Sequence, residues 1–396
     1  MIKLPKNKII ISFWIIITLI TALKQYFVSK NALLVHDFLN TKINNYLIFK
    51  NVFYNTIKEQ NLYLEYPNLY FDHNHYGPIF SILIAPFAIL PDVLGMTLWC
   101  ILNAFILIYA INKLPLSKEK NTLILIICLN EFITSILGQQ FNPMLTGMIV
   151  LSFVFIYEEK DKWAAFCIIL GTFIKLYGIV GFAFFFFSKH KIKFISWSII
   201  WSIVFFALPM LIASPEFIIQ SYYDWFERLT IKNNENINIS DMQDISVMGM
   251  ARKISGNRDL SNLLFILPGI ILFAIPYFKF KHYSNLKFQL LLLASVLIFT
   301  VIFSTGAESP TYIIAFVGVA IWFVIKKNYT KWDWFLFVFA ILFTTLSPTD
   351  LIPKYIRINL IRPYALKALP CFIIWLQIIY ELVTLKKEDT LKLENE

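Results

Sequence analysis

Apolar runs of about 20 residues, separated by short polar breaks, recur from one end of this sequence to the other, and each is long enough to cross a bilayer as a helix. With 58% of its 396 residues hydrophobic and only 15% charged, the chain carries more apolar surface than a soluble core of that length buries. The pattern predicts an all-α polytopic membrane protein of about 11 to 13 transmembrane segments, forming one integral-membrane domain over residues 1–396. Spans fall near 9–29, 78–90, 93–112, 121–138, 142–157, 192–213, 261–278, 288–304, 310–325, 332–347 and 364–385. The stretch 163–187 has basic flanks at both ends, which a single crossing cannot satisfy; two short helices meeting at "IKLYG" do.

The net charge of +10 sits mostly in short Lys/Arg clusters between apolar runs, as topogenic signals do. It is therefore no nucleic-acid footprint. The clusters put both termini in the cytoplasm, with the first run kept as an uncleaved anchor. The outer face then receives 30–77, 139–141, 175–177, 214–260, 305–309 and 348–363, and the tail 386–396 is cytoplasmic. Within the first of these loops, 39–60 repeats apolar residues at helical spacing and reads as an amphipathic helix lying along the interface. Cys100, Cys128, Cys167 and Cys371 all lie inside apolar runs without CxxC spacing, so neither a zinc site nor a disulfide framework is expected.

Ionisable and amide groups gather on the outer side. Asp37, beside His36 at the lip of the first span, is a general-base candidate or a simple loop aspartate. "YFDHNHYGPIF" brings Asp72, His73, His75 and Tyr76 to the mouth of the next span; the residues suit a polar sugar lining, loop capping or, less well, a metal, because no third histidine has ligand spacing. "GQQFNP" offers Gln139, Gln140 and Asn142 to hydroxyl groups, or makes a tight turn. Gln243, Asp244, Ser246 and Arg252 lie in the long outer loop, which as a solvated loop needs no further reason for them. Glu308 in "STGAESPTY" is a second carboxylate or a helix start. Lys175, and the cations Lys354, Arg357, Arg362 and Lys367 on a face that normally avoids positive charge, require an anion. Phosphate of a substrate or of lipid headgroups would supply it.

The order of these motifs carries a resemblance. "HDF" after the first span, an amphipathic outer helix, "YGPIFSILIAPFAILP" leading to Leu98-Trp99 and Leu102-Asn103, then "GQQFNP", "FIKLYG" and "QDISVMGMAR", together resemble glycosyltransferase family 87 over residues 10–325. That family comprises polyprenol-phosphate-mannose-dependent α-mannosyltransferases and relatives of the GT-C superfamily. The resemblance implies a GT-C-like fold and an inverting transferase. Such an enzyme moves a sugar, mannose in the family, from a polyprenyl-phosphate carrier to a glycan or lipid acceptor at the non-cytoplasmic face of the cell membrane. It implies Asp37 as the base and Lys175 near the donor phosphate, with membrane lipids as the other partners and no cofactor. Two positions depart from the family: Leu176 stands where proline follows the lysine, and "AESPTY" where the mannosyltransferases carry histidine. No Gly-rich phosphate loop is present, in keeping with a lipid-borne donor. A transporter or flippase of lipid-linked sugars is the alternative; it would show internal repeats or mid-membrane charges.

Overall fold

The computed structural model describes residues 5–238, 242–386, 388, 389 and 391. Lys3, Asp241 and most of the tail from 387 lie outside the described residues. The described chain is helical, without a strand. In order come α1 (Asn7–Leu34), α2 (Asn44–Ile57), α3 (Phe80–Ala88), α4 (Asp92–Asn112), α5 (Lys118–Leu137), α6 (Asn142–Tyr157), α7 (Asp161–Ile174) and α8 (Lys191–Ala207). Then follow α9 (Pro215–Asn238), α10 (Val247–Ser255), α11 (Leu263–Ala274), α12 (Leu286–Ile302), α13 (Tyr312–Val324), α14 (Lys331–Ala340), the single turn α15 (Lys354–Ile356) and α16 (Ala368–Thr384). Four helices are long and apolar enough to cross a membrane: Asn7–Leu34, Asp92–Asn112, Lys118–Leu137 and Lys191–Leu211; shorter apolar helices lie between and after them. This is an all-α membrane protein.

The chain forms two compact units. The early unit holds Lys8–Lys113 and Ile133–Ile231, and in it α6 packs on α4 and α7, α7 on α8, and α2 on α3. In α1 the buried residues Trp14, Thr18, Thr21, Ala22 and Ser29 repeat at helical spacing, while Ile9, Ile16, Ile20 and Phe27 stay exposed as a face suited to acyl chains. The amphipathic pattern expected over 39–60 becomes α2. Its apolar face, with Tyr46, Leu47, Phe49 and Val52, is buried in protein, whereas Leu39 and Ile57 at the ends of the pattern are exposed.

The expected break in 163–187 is present. Lys175 is extended (φ −144°, ψ 122°), ending α7, and Leu176–Phe187 winds onward as a 3₁₀ helix. In that geometry residues i and i+3 eclipse, so Gly178, Gly181 and Phe184 share one buried edge. A Cβ at Gly178 would stand 2.3 Å from the Gly171 backbone; glycine permits this close approach of the two helices.

The late unit holds Met1–Asn7, Leu114–Phe132 and Lys232–Glu396. Its core is the pair α12 and α13, buried on every side and flanked by α16. The stretch 214–260, expected as a long outer loop, is largely helical: α9 and α10 occupy much of it.

Candidate active site

Two residues in the polar motifs owe their backbone to helix termination. His36 and Gln139 have positive φ (54° and 49°), a conformation rare outside glycine. Each stands two residues past a helix end, and the next residue's N–H bonds back six residues' span: Asp37 N–H to the Ala32 carbonyl at 2.9 Å, and Gln140 N–H to Ser135 at 3.2 Å. Glu59 and Glu159, which end α2 and α6, repeat the geometry at φ 51° and 59°. This is the left-handed helix stop that glycine usually serves. The placement of His36 and Asp37 side by side at the lip of the first span thus has a backbone reason. His36 is exposed, edge-on to Phe38, and half-buried Asp37 accepts from Asn40 Nδ2 at 2.6 Å.

Three motifs far apart in sequence meet in the early unit. Asn74 folds an Asx turn, accepting from the Tyr76 N–H and donating to its carbonyl, both at 3.0 Å. The Gly77 N–H bonds the Ile174 carbonyl at 3.0 Å, which seats this turn on the end of α7. Tyr76 Oη donates to Gln140 Oε1 at 3.4 Å, and Lys175 Nζ to Asn142 Oδ1 at 2.9 Å, with the ammonium 4.9 Å from the Tyr177 ring centre. Gln139 is buried; its side-chain amide N–H groups donate to the carbonyls of Lys42 (3.1 Å) and Leu137 (2.8 Å), and its backbone carbonyl accepts from Trp99 Nε1 at 2.8 Å. From below, Trp225 Nε1 holds the His75 carbonyl at 2.9 Å and Tyr63 Oη the Tyr76 carbonyl at 3.1 Å. Burial raises the Tyr63 phenol well above its ordinary range, so it stays a donor. Asp72 (φ 78°) and His73 lie on the rim: His73 Nδ1 is 3.5 Å from Asp72 and Nε2 3.6 Å from Glu65.

In the late unit a cavity of about 320 Å³ is lined by Gln243, Glu308, Ser309, Ser347, Arg362 and Lys367, with Met242, Ile245, Pro310, Pro348, Ile361 and Ala365 as its apolar wall. Four expected residues therefore share one cavity: Gln243, Glu308, Arg362 and Lys367. Four other expected residues serve elsewhere. Asp244 and Arg252 form a buried pair, Nη2 to Oδ2 at 2.6 Å, and Arg252 Nη1 also reaches the Leu260 carbonyl (2.9 Å) and Asn262 (2.8 Å). Ser246 donates to Asp244 at 2.6 Å and caps α10 by accepting from the Gly249 N–H at 3.0 Å. Arg357 pairs with the exposed Asp350 at 2.7 Å.

Sequence reasoning named Lys367 as a cation that requires an anion but missed that the anion is Glu131. Lys367, itself a lining residue, is buried and bonds Glu131 at 2.9 and 3.1 Å and the Ser309 hydroxyl at 2.9 Å; Thr345 donates to the same carboxylate at 3.2 Å. Glu131 is fully buried on α5. A lone acid inside an apolar run was the available signal.

The sequence profile of glycosyltransferase family 87 matches residues 74–305, more than half of the sequence and a stretch that contains the Asn74–Gly77 turn, Gln139–Asn142, Lys175 and the Asp244–Arg252 pair. The chain belongs to glycosyltransferase family 87. No curated protein matches it. As a family 87 member it is a glycosyltransferase acting between a sugar donor and an acceptor, and the motifs that meet around Tyr76 and Lys175 lie in the part of the chain that defines the family.

Proposed function

We propose that this family 87 enzyme takes its sugar, with mannose the first candidate, from a polyprenyl-phosphate carrier at the non-cytoplasmic face. It transfers the sugar by one inverting displacement in a multi-pass, GT-C-like single domain. Asp37 removes the proton of the acceptor hydroxyl; that oxygen attacks the anomeric carbon opposite the phosphate, and the carbon–oxygen bond to the carrier breaks with its electrons leaving on the phosphate. The departing phosphate needs a cation rather than a proton, and Lys175 supplies it. Gln140, Asn142, Tyr76, His75 and the rim residues Asp72, His73 and His36 line the sugar path.

The observation that carries this reading is the meeting of Gly77, Asn142 and Lys175: an ammonium fixed by Asn142 at the break between α7 and the 3₁₀ helix. It is supported by the position of Asp37 three residues beyond a helix long enough to cross the membrane. The test is transfer from a panel of radiolabelled polyprenyl-phosphate sugars by purified protein in lipid. Asp37→Asn is expected to lower turnover about 10²- to 10⁴-fold, the range for loss of a positioned base, with folding intact by size-exclusion and unfolding profiles. Unchanged turnover in this variant rejects Asp37 as the base, and failure of all carrier-linked sugars where a nucleotide sugar succeeds rejects the donor.

A further inference from the structure

One connection of the late unit carries apolar side chains that no helix of the unit covers. α14 continues through a π-helical turn, Ile341–Thr345, and the chain returns in α16. The two helices meet at the ends they share: Thr344 Oγ1 donates to the Lys367 carbonyl at 2.9 Å. α14 turns Trp334, Phe335, Val338 and Leu342 outward, as a helix facing acyl chains does. A connection that leaves and returns at one end of such an apolar pair lies at the membrane boundary. Pro348, Pro353 and Pro363 interrupt it, so it extends neither helix.

Within it, 354–361 winds as a short helical stretch, α15 followed by a second π turn. Leu351 and Tyr355 are 75% and 76% exposed, Leu360 45% and Ile358 41%. Bare apolar side chains this concentrated mark an interaction surface, unlike the single ones scattered over any protein. Ile361 and Ala365 are buried in the cavity wall, so the segment has an inner side and an apolar outer side. Residues 346–366 hold three cations, Lys354, Arg357 and Arg362, and one acid, Asp350. Arg357 pairs with that acid and Arg362 lines the cavity. Lys354 is exposed, and its ammonium has no partner among the described residues. A second copy of this patch would set cation against cation, whereas a phospholipid layer offers phosphates beside acyl chains. Apolar side chains next to lysine suit that boundary, because the lysine stem lies along the apolar region while its ammonium stays with the headgroups. We propose that residues 351–360 are an interfacial anchor, with Leu351, Tyr355 and Ile358 at the acyl boundary and Lys354 on the phosphate of an anionic phospholipid.

The test measures depth by spin labelling of the full chain in lipid nanodiscs. Leu351→Cys, Tyr355→Cys and Ile358→Cys, each carrying a nitroxide, are compared with two references: exposed Lys327→Cys in the polar turn before α14, and Val338→Cys on the outward side of α14. Cys100, Cys128, Cys167 and Cys371 are buried, which leaves the introduced thiol to take the label. Oxygen, which concentrates in lipid, is expected to relax the three anchor labels more than an aqueous nickel chelate does, at depths between the two references. In three-to-one phosphatidylcholine–phosphatidylglycerol, the ratio of inserted to raised label at Tyr355→Cys is expected to stand about fivefold above that in phosphatidylcholine alone, the effect of one lysine at an anionic surface. Adding Lys354→Gln abolishes that difference. The labels at 351 and 358 keep the test decisive if the Tyr355 variant fails to fold. Nickel accessibility equal to that of Lys327→Cys, spin–spin coupling between two copies, or a ratio indifferent to phosphatidylglycerol or to Lys354→Gln overturns the proposal. No turnover is read, so rejection of Asp37 as the base or of the carrier-linked donor leaves this anchor standing.

Discussion

The polar cluster of the early unit and the cavity of the late unit are built on opposite principles. Around Tyr76 and Gln139 side-chain donors bond one another and backbone: Gln139 alone joins Lys42, Leu137 and Trp99. In the late unit the buried ion pair of Lys367 with Glu131 stiffens one wall, and Arg362 faces the cavity. The contrast teaches that a polar residue outside the apolar helices can be tied into the architecture in one region and left facing a cavity in another, and that its hydrogen-bond partners tell which.

The comparison can be broken most forcefully at the ion pair. Lys367→Met leaves Glu131 buried without its cation and is expected to cost about 3–5 kcal/mol. Chemical unfolding in mild detergent measures it; a cost below that of a surface pair would move the support of the cavity elsewhere. Next comes Gly77→Ala. The added Cβ would meet the Phe173 carbonyl at 2.0 Å, pushing the Asn74 turn off α7, with an expected loss of about 1–3 kcal/mol and a fall in transfer activity. Retention of both stability and activity would show that the turn need not touch α7.

Trp99→Phe keeps one aromatic ring but removes the donor to Gln139 and, at a fully buried position, part of the indole's volume. About 2 kcal/mol is expected, read by the same unfolding curves; a negligible loss would mean that neither the hydrogen bond nor the packing against Phe141 holds Gln139 in place. The smallest effect belongs to an exposed pair. A hydrogen bond from Lys189, 2.6 Å away, with its charge as a further cause, holds the Glu159 carboxyl below its ordinary value. A depressed carboxyl stabilises the fold above the unfolded-state pKa and loses that contribution as pH falls through the folded one. Glu159→Gln should therefore lower stability slightly at neutral and alkaline pH, with the difference from wild type closing as pH falls through the carboxylate range, and a loss confined to acid pH would contradict the assignment.

Much of the fold was legible because helices are local. Apolar periodicity located most of the helices, and the conflict between basic flanks located the break at Lys175, which the three-residue spacing of Gly178 and Gly181 turns into a 3₁₀ helix. The region 214–260 was less legible: α9 alternates charges with aromatic residues, so length and polarity read as loop, while burial of Leu62, Tyr63 and Trp225 in one cluster holds it as helix. The helix stops at His36 and Gln139 were hidden for another reason. Glycine normally signals the left-handed conformation, and here the residues carry side chains.

The sequence by itself determined which segments are apolar enough for the membrane, where helices begin and break, and which side chains can titrate or bind phosphate, since each depends on neighbours a few residues away. Tertiary structure decided what those side chains do. Lys367 meets Glu131 across 236 positions, Tyr76 meets Gln140 across 64, and Asp244 is committed to Arg252 on the adjoining α10. Whether a charge is cancelled, capped or left facing a cavity follows from packing, because in a medium that cannot solvate it a polar group takes whichever partner the fold brings within reach.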